Sequence, residues 1–350
     1  MDFKRIYAEY LKVKKNIYSS IFLILSACIL VSYCFLHTGC IKETTYSSSS
    51  DLNISPCNNF GTLPIRTVYP VTFPMVAEDG ELLSWVQNSV TRYACLNYPN
   101  QVESQNYKWP LIVYIHGSIV TPMSIYTFGR KLFNLRDDYM LSDNDSVKGF
   151  IILSPEGRIA KPWKGNGPET GEGFHWDEWY RNPDENLDAL AIDHFLDEVV
   201  STGKVDTSRI YVFGWSNGAY MTVLYSTWRS SLIAAMGQYA GGNPWSRTPC
   251  PVEMTYTKQV PLILLRNLCD ALVPCDSTNA WISTLQSLNW PFEYHSLNIL
   301  GEITSPTKPC STDPECSKDL GLVTHMRWPK QEPLEEMLNF FKLHLLSHSN

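Results

Sequence analysis

Short apolar runs alternating with longer amphipathic stretches predict an α/β protein: a mostly parallel central sheet with helices on both faces. Two observations support this class. The runs 111–116, 150–154, 209–213, 233–240, 262–266 and 292–299 are mostly β-branched or aromatic and bounded by Gly, Pro or Asn, as buried strands are. Between them, helical stretches fall near 124–137, 186–202, 217–229, 277–288 and 332–346. One domain, 61–350, absorbs all of these elements, although the length alone admits two.

Taken in order, the chain opens on a basic segment, residues 1–16, with Lys4, Arg5, Lys12, Lys14 and Lys15 against Asp2 and Glu9. Residues 17–36 carry no charge and include Ile21 to Leu25 and Ile29 to Val31. A helix of about 20 apolar residues spans the roughly 30 Å hydrocarbon core of a bilayer. Residues 17–38 are therefore expected to be a signal anchor or a cleaved signal peptide, and membrane association is expected through residues 17–36. The positive-inside rule keeps residues 1–16 in the cytoplasm and sends the rest out. Residues 39–60, with Ser47 to Ser50, read as a polar stalk. The expected location is extracellular or in the secretory pathway, tethered by one span or released after cleavage.

Charge excludes one large class of function. With 28 Lys+Arg against 35 Asp+Glu, the net charge is −7 and the pI about 5.6, unlike a nucleic-acid binder with a concentrated basic face. Hydrophobic residues at 44% and charged residues at 18% also exclude a disordered chain and a multi-span membrane protein. Of the 10 cysteines, Cys28, Cys34 and Cys40 belong to the apolar segment or its edge. Export permits disulfides among the rest, and Cys269/Cys275 and Cys310/Cys316 are close enough in sequence to bridge short loops. Spacing does not fix connectivity. No C-x-x-C pair with matching His spacing exists, so no metal site is expected.

Residues 155–185 fit neither strand nor helix and read as a long irregular insertion, the wall or lid of a cleft. The chemistry lies further on. Gly214-Trp215-Ser216-Asn217-Gly218 matches G-x-S-x-G between a strand (Ile210 to Phe213) and a helix (Ala219 to Leu224), a sharp turn that exposes a serine. A serine hydroxyl needs a positioned base, and the base an orienting acid. Asp270 follows the strand Val260 to Arg266 just past its carboxyl end, with Val273-Pro274 behind it; Asp276 is the competitor. Of the later histidines, His295 lies mid-strand, His344 and His348 in the terminal helix and tail, and His325 in a loop before the last helix. Order and elimination select Ser216, Asp270 and His325. The oxyanion needs two backbone donors: one is Asn217, and the other Gly117 or Ser118, after the strand ending Tyr114-Ile115-His116. His116 is then structural. Trp176, Trp215 and Trp328 are the candidate substrate-stacking residues among the tryptophans near the cleft.

Together these motifs resemble the α/β-hydrolase superfamily, and more narrowly the polyhydroxybutyrate depolymerase and feruloyl esterase-like group. The similar elements are Tyr114-Ile115-His116-Gly117, Leu153-Ser154-Pro155-Glu156-Gly157, the serine pentapeptide, Asp270 with Val273-Pro274, and His325 near Trp328-Pro329. They cover roughly residues 110–330. The sequence departs from the group in having Gly218-Ala219 where it has a glycine pair, and Thr324 where it more often has glycine. The resemblance implies an α/β-hydrolase fold and hydrolysis of a small-molecule or polymeric carboxylic ester through an acyl-enzyme, with no metal or organic cofactor. A serine peptidase of the same fold and an inactive binding module are the alternatives.

Overall fold

Two-residue periodicity in Trp109–Ile115 sets the centre of the molecule. Leu111, Val113 and Ile115 pack into one apolar cluster and Ile112 and Tyr114 into another, all fully buried. A strand buried on both faces needs cover on both. In this computed structural model the described residues are 80–346, except 101–106, 145–146, 161–162, 165–166, 169–172, 248–250, 305–315 and 317–320. The basic segment, the apolar segment and the stalk lie outside them.

The chain begins with an antiparallel pair, β1 (Gly80–Gln87) and β2 (Val90–Asn97). Asn88 and Ser89 turn it at φ 48° and 66°, the conformation a two-residue hairpin needs. Then come β3 (Trp109–Ile115), α1 (Ser124–Thr127), α2 (Arg130–Leu135) and β4 (Ile151–Pro155). The next four strands are short: β5 (Arg158–Ala160), β6 (Trp163–Lys164), β7 (Gly167–Pro168) and β8 (Gly173–His175). They are followed by α3 (Leu187–Ser201), β9 (Val205–Trp215), α4 (Asn217–Trp228), β10 (Ala235–Tyr239) and β11 (Leu262–Asn267). The last elements are α5 (Cys275–Ser287), β12 (Phe292–Leu297), β13 (Ile303–Thr304), α6 (Gly321–Met326) and α7 (Gln331–Leu343).

Nine strands form one sheet in the order β1-β2-β4-β3-β9-β10-β11-β12-β13. The ladder from β4 through β12 is parallel; β1, β2 and β13 add antiparallel edges. One face packs against α3, α4 and α5 through residues such as Phe195, Met221 and Trp281. The other packs against α1, α2 and α7 through Ile125, Leu132, Met337 and Phe341. Helices on both faces of a mostly parallel sheet are thus observed.

Three expectations change. The stretch 124–137 is two short helices rather than one, parted at Phe128-Gly129. There a Cβ on Gly129 would lie 3.0 Å from the Trp328 ring, so the backbone turns where the indole packs. Residues 155–185 are irregular only in part: β5 pairs with β8 and β6 with β7, both antiparallel, whereas 176–185 form neither helix nor strand. Buried ion pairs hold this insertion to the sheet. Asp188, at the start of α3, accepts from Arg158 at 3.1 Å and Arg92 at 2.9 Å, and Arg158 also reaches Asp177 at 3.1 Å. Burial alone would raise the Asp188 carboxyl, but the two guanidiniums hold it below its ordinary range. Finally, His325 stands in the last turn of α6, not in a loop.

Candidate active site

The turn between β9 and α4 is built by two glycines. A Cβ on Gly214 would lie 2.2 Å from Thr222 Oγ1, and one on Gly218 would lie 2.2 Å from the Ile115 carbonyl oxygen. Only glycine lets the start of α4 close onto β9 and the end of β3. Ser216 sits between them at φ 57° and ψ −123°, a conformation L-residues avoid, with its N–H donating to the Tyr239 carbonyl at 3.0 Å. The strain is held by packing on both sides and presents the hydroxyl at the carboxyl edge of the sheet.

The structure brings Ser216, His325 and Asp270 into line. The His325 Nε2 lies 2.9 Å from Ser216 Oγ, and its Nδ1 lies 2.7 Å from Asp270 Oδ2. Both Asp270 and His325 are buried. The second Asp270 oxygen, Oδ1, accepts from the backbone N–H groups of Leu272 and Val273, each at 2.9 Å, which fixes the carboxylate. Its only unspent oxygen faces the imidazole, so Nδ1 carries the proton and Nε2 is left to accept from the serine. Asp276 is exposed in the first turn of α5, and His295 is half-buried in β12. His344 caps the end of α7, and His348 lies outside the described residues.

Asn217, the first residue of α4, has an N–H with no acceptor one helical turn back. Across from it, the turn after β3 lies against the serine: a Cβ on Gly117 would stand 3.4 Å from Ser216 Cβ. Gly117 and Ser118 both remain as the second donor. His116 is fully buried, its Nδ1–H donating to the Gly117 carbonyl at 2.7 Å and its Nε2 accepting from Gly157 N–H at 2.9 Å. Burial pushes it down to about 4, so it is a neutral brace for that turn.

The three tryptophans proposed to stack on substrate are placed elsewhere. Trp176 is fully enclosed and donates from Nε1 to the His116 carbonyl at 2.8 Å. Trp215 is 1% exposed and donates to the His325 carbonyl at 3.2 Å. Trp328 packs among Tyr114, Phe213, Trp215 and Tyr239. All three are core residues that hold the site from behind, because the sheet's apolar layers reach up to the catalytic edge. Aromatic type alone does not report which side of a cleft a ring faces.

Two features had no usable signal in the sequence. The Asn217 side chain clamps the Trp176 backbone, Oδ1 accepting from its N–H at 2.7 Å and Nδ2 donating to its carbonyl at 3.2 Å. Cys269, beside Asp270, is bonded to Cys316 across a separation of 47 residues, not to Cys275, which is itself disulfide-bonded. Among the described residues, no group of three His, Cys, Asp or Glu side chains could hold a metal ion. Nor, among them, is any helix long and apolar enough to cross a membrane.

No family model matches the chain, and no curated protein sequence matches it. Among solved structures it is similar to a thermostable esterase, at 16% identity over 77% of this chain and 64% of that one, with a TM-score of 0.47. It is also similar to a ferulic acid esterase from Anaeromyces mucronatus, at 15% identity over 76% of this chain and 90% of that one, with a TM-score of 0.45. An acylaminoacyl peptidase is 16% identical over 77% of this chain and 42% of that one, again at a TM-score of 0.45. The chain thus spans less than two thirds of the thermostable esterase. In the chain's own geometry, the mixed sheet, the strained serine turn between strand and helix, and acid and histidine following in that order are those of the α/β-hydrolase fold.

Proposed function

We propose that the protein is a serine hydrolase that cleaves carboxylic esters through an acyl-enzyme on Ser216. One observation carries this reading: the hydrogen-bonded line from Ser216 Oγ through His325 to Asp270 on a strained turn. The hydroxyl attacks the ester carbonyl while His325 Nε2 takes its proton, and Asp270 stabilises the imidazolium that forms. The oxyanion accepts from Asn217 N–H and from Gly117 or Ser118 N–H. His325 then gives its proton to the departing alcohol. Water, deprotonated by the same imidazole, releases the acid and restores Ser216.

The substrate class proposed is a polyhydroxyalkanoate-type polyester, a feruloyl ester or another small ester, which the motif resemblance favours over a peptide. An exported protein, tethered by residues 17–36 or cleaved after them, is the location proposed. The bonded Cys269, Cys275 and Cys316 support it, since disulfides persist in oxidising compartments.

A fluorophosphonate probe tests the reaction class. The wild-type protein is expected to be labelled and to hydrolyse short-chain 4-nitrophenyl esters, and Ser216→Ala is expected to do neither. Equal labelling of the variant, or none of the wild type, overturns the reading.

A further inference from the structure

Beside the serine, three segments meet at a cluster of charges that the reaction does not use. The first is the turn of α4 just past the nucleophile, where the Tyr220 N–H donates to the Ser216 carbonyl at 3.3 Å. The second is the loop after β10, held so close that a Cβ on Gly242 would lie 3.2 Å from Tyr220 Oη. The third is the insertion, whose Trp176 is clamped by Asn217 and whose next residues carry Glu178 and Arg181.

Arg247 is the accessible member. Its side chain is 34% exposed, and it reaches the almost fully buried Glu178 at 3.1 Å. Its guanidinium carbon stands 4.3 Å from the Tyr220 ring centre and 5.4 Å from that of Trp179, so two aromatic faces hold it in place. Arg181 lies behind it. One Arg181 nitrogen donates to the Pro244 carbonyl at 2.5 Å, while Nε and Nη1, both buried, have no hydrogen-bond partner among the described residues.

Charge does not close in this cluster. Two guanidiniums act on one carboxylate: Glu178 pairs with Arg247 and interacts with Arg181 only through space. The nearby Asp177 is committed to Arg158 and to the Trp179 and Tyr180 amides. Burial pushes the Glu178 carboxyl up, and any proton it takes enlarges the surplus. A positive charge left in a poorly hydrated place favours an anion. An ordered guanidinium offers it paired donors.

We propose that Arg247, backed by Arg181, is a specificity subsite that binds a carboxylate on the substrate of Ser216. The substrate is then an ester that also carries a free carboxylate, either on its acyl part, as in a dicarboxylic acid monoester, or on its alcohol part, as in an esterified hydroxy acid. This rests on the reading of Ser216 as a hydrolytic nucleophile. It makes the enzyme selective for anionic esters despite the negative net charge of the whole chain.

Two substrate pairs test it by kcat/KM. Mono-4-nitrophenyl glutarate against 4-nitrophenyl pentanoate probes the acyl side. The other pair, 3-acetoxybutanoate against 3-acetoxybutanamide, probes the alcohol side. The charged member is expected to be preferred about tenfold or more in one pair, the size of one charge-assisted hydrogen bond. Arg247→Gln and Arg181→Gln should collapse that ratio, and Arg247→Lys should keep part of it; the ratio within each variant cancels losses from misfolding. Glutarate binding to Ser216→Ala by calorimetry gives a readout that needs no turnover, and Arg247→Gln should abolish it. A ratio of one or less in both wild-type pairs, or one untouched by both substitutions, overturns the subsite. Loss of all hydrolysis with glutarate binding intact would instead count against the nucleophile.

Discussion

At the scale of residues, the two carboxylates that matter most are held in different ways. Asp270 divides its oxygens between backbone amides and one imidazole, so its task is orientation. Asp188 neutralises Arg92 and Arg158 in a place without solvent, and also accepts the Asp177 N–H at 2.7 Å. Removing its charge while keeping its shape leaves two buried cations short of a partner. Breaking such a pair costs about 3–5 kcal/mol. Asp188→Asn is therefore expected to lower the unfolding free energy by that amount in urea titrations. Because Asp177 is followed by Glu178 and preceded by Trp176, the damage should also reach the insertion beside Ser216. A loss below about 1 kcal/mol would mean that water or rearrangement replaces the carboxylate.

At the scale of elements, the acid comes from the loop after β11 and the histidine from α6, which the sheet does not join directly. The Cys269–Cys316 bond ties the acid's loop to the stretch preceding that helix. Closing a loop of 47 residues in the unfolded chain is worth about 4 kcal/mol in the chain-entropy view. Cys316→Ser is expected to reduce stability by up to that amount. It should also lower kcat more than it raises KM, because the Asp270–His325 geometry loosens while the cleft persists; an unchanged kcat would show the loop holding itself. This bond also marks where the sequence stops being informative. Ser216, Asp270 and His325 could be found because a strand-turn-helix pentapeptide is local and the other two follow by order. Pairing between Cys269 and Cys316, or between Arg92 and Asp188, depends on tertiary approach, and neighbouring residues carry no trace of it. The β1–β2 hairpin is not legible in the sequence for a nearer reason: its turn is Asn88-Ser89, without the glycine that usually signals one. Nor does the sequence tell the enclosed Trp176, Trp215 and Trp328 from rings that face a substrate, because aromatic type is compatible with burial and stacking alike.

At the scale of the whole molecule, buried titrating groups of opposite tendency share the region around the site. Burial pushes His116 and His175 down to about 4, whereas it pushes Asp177 up to about 6 and Glu156 up to about 7. Between pH 4 and 6.5 the unfolded chain binds more protons at the two histidines, so their contribution to stability rises with pH, by about 3 kcal/mol each. Over pH 4 to 7 the folded chain binds more protons at the two carboxyls, so their contribution falls with pH, by about 3 kcal/mol each. Asp188, held below its ordinary value, loses its contribution only at more acid pH and stands outside this window. The four terms oppose one another, as do those of Glu178, which burial also pushes up, and His344, which it pushes down, and the wild-type protein is expected to have nearly level stability from pH 4.5 to 7. Glu156→Gln removes one falling term and leaves the two rising ones. Its unfolding free energy should then climb by about 3 kcal/mol at most between pH 4.5 and 7, read from urea midpoints at each end. A variant as level as the wild type would show that Glu156 ionises in the folded protein as freely as in the unfolded one, and that the balance lies elsewhere.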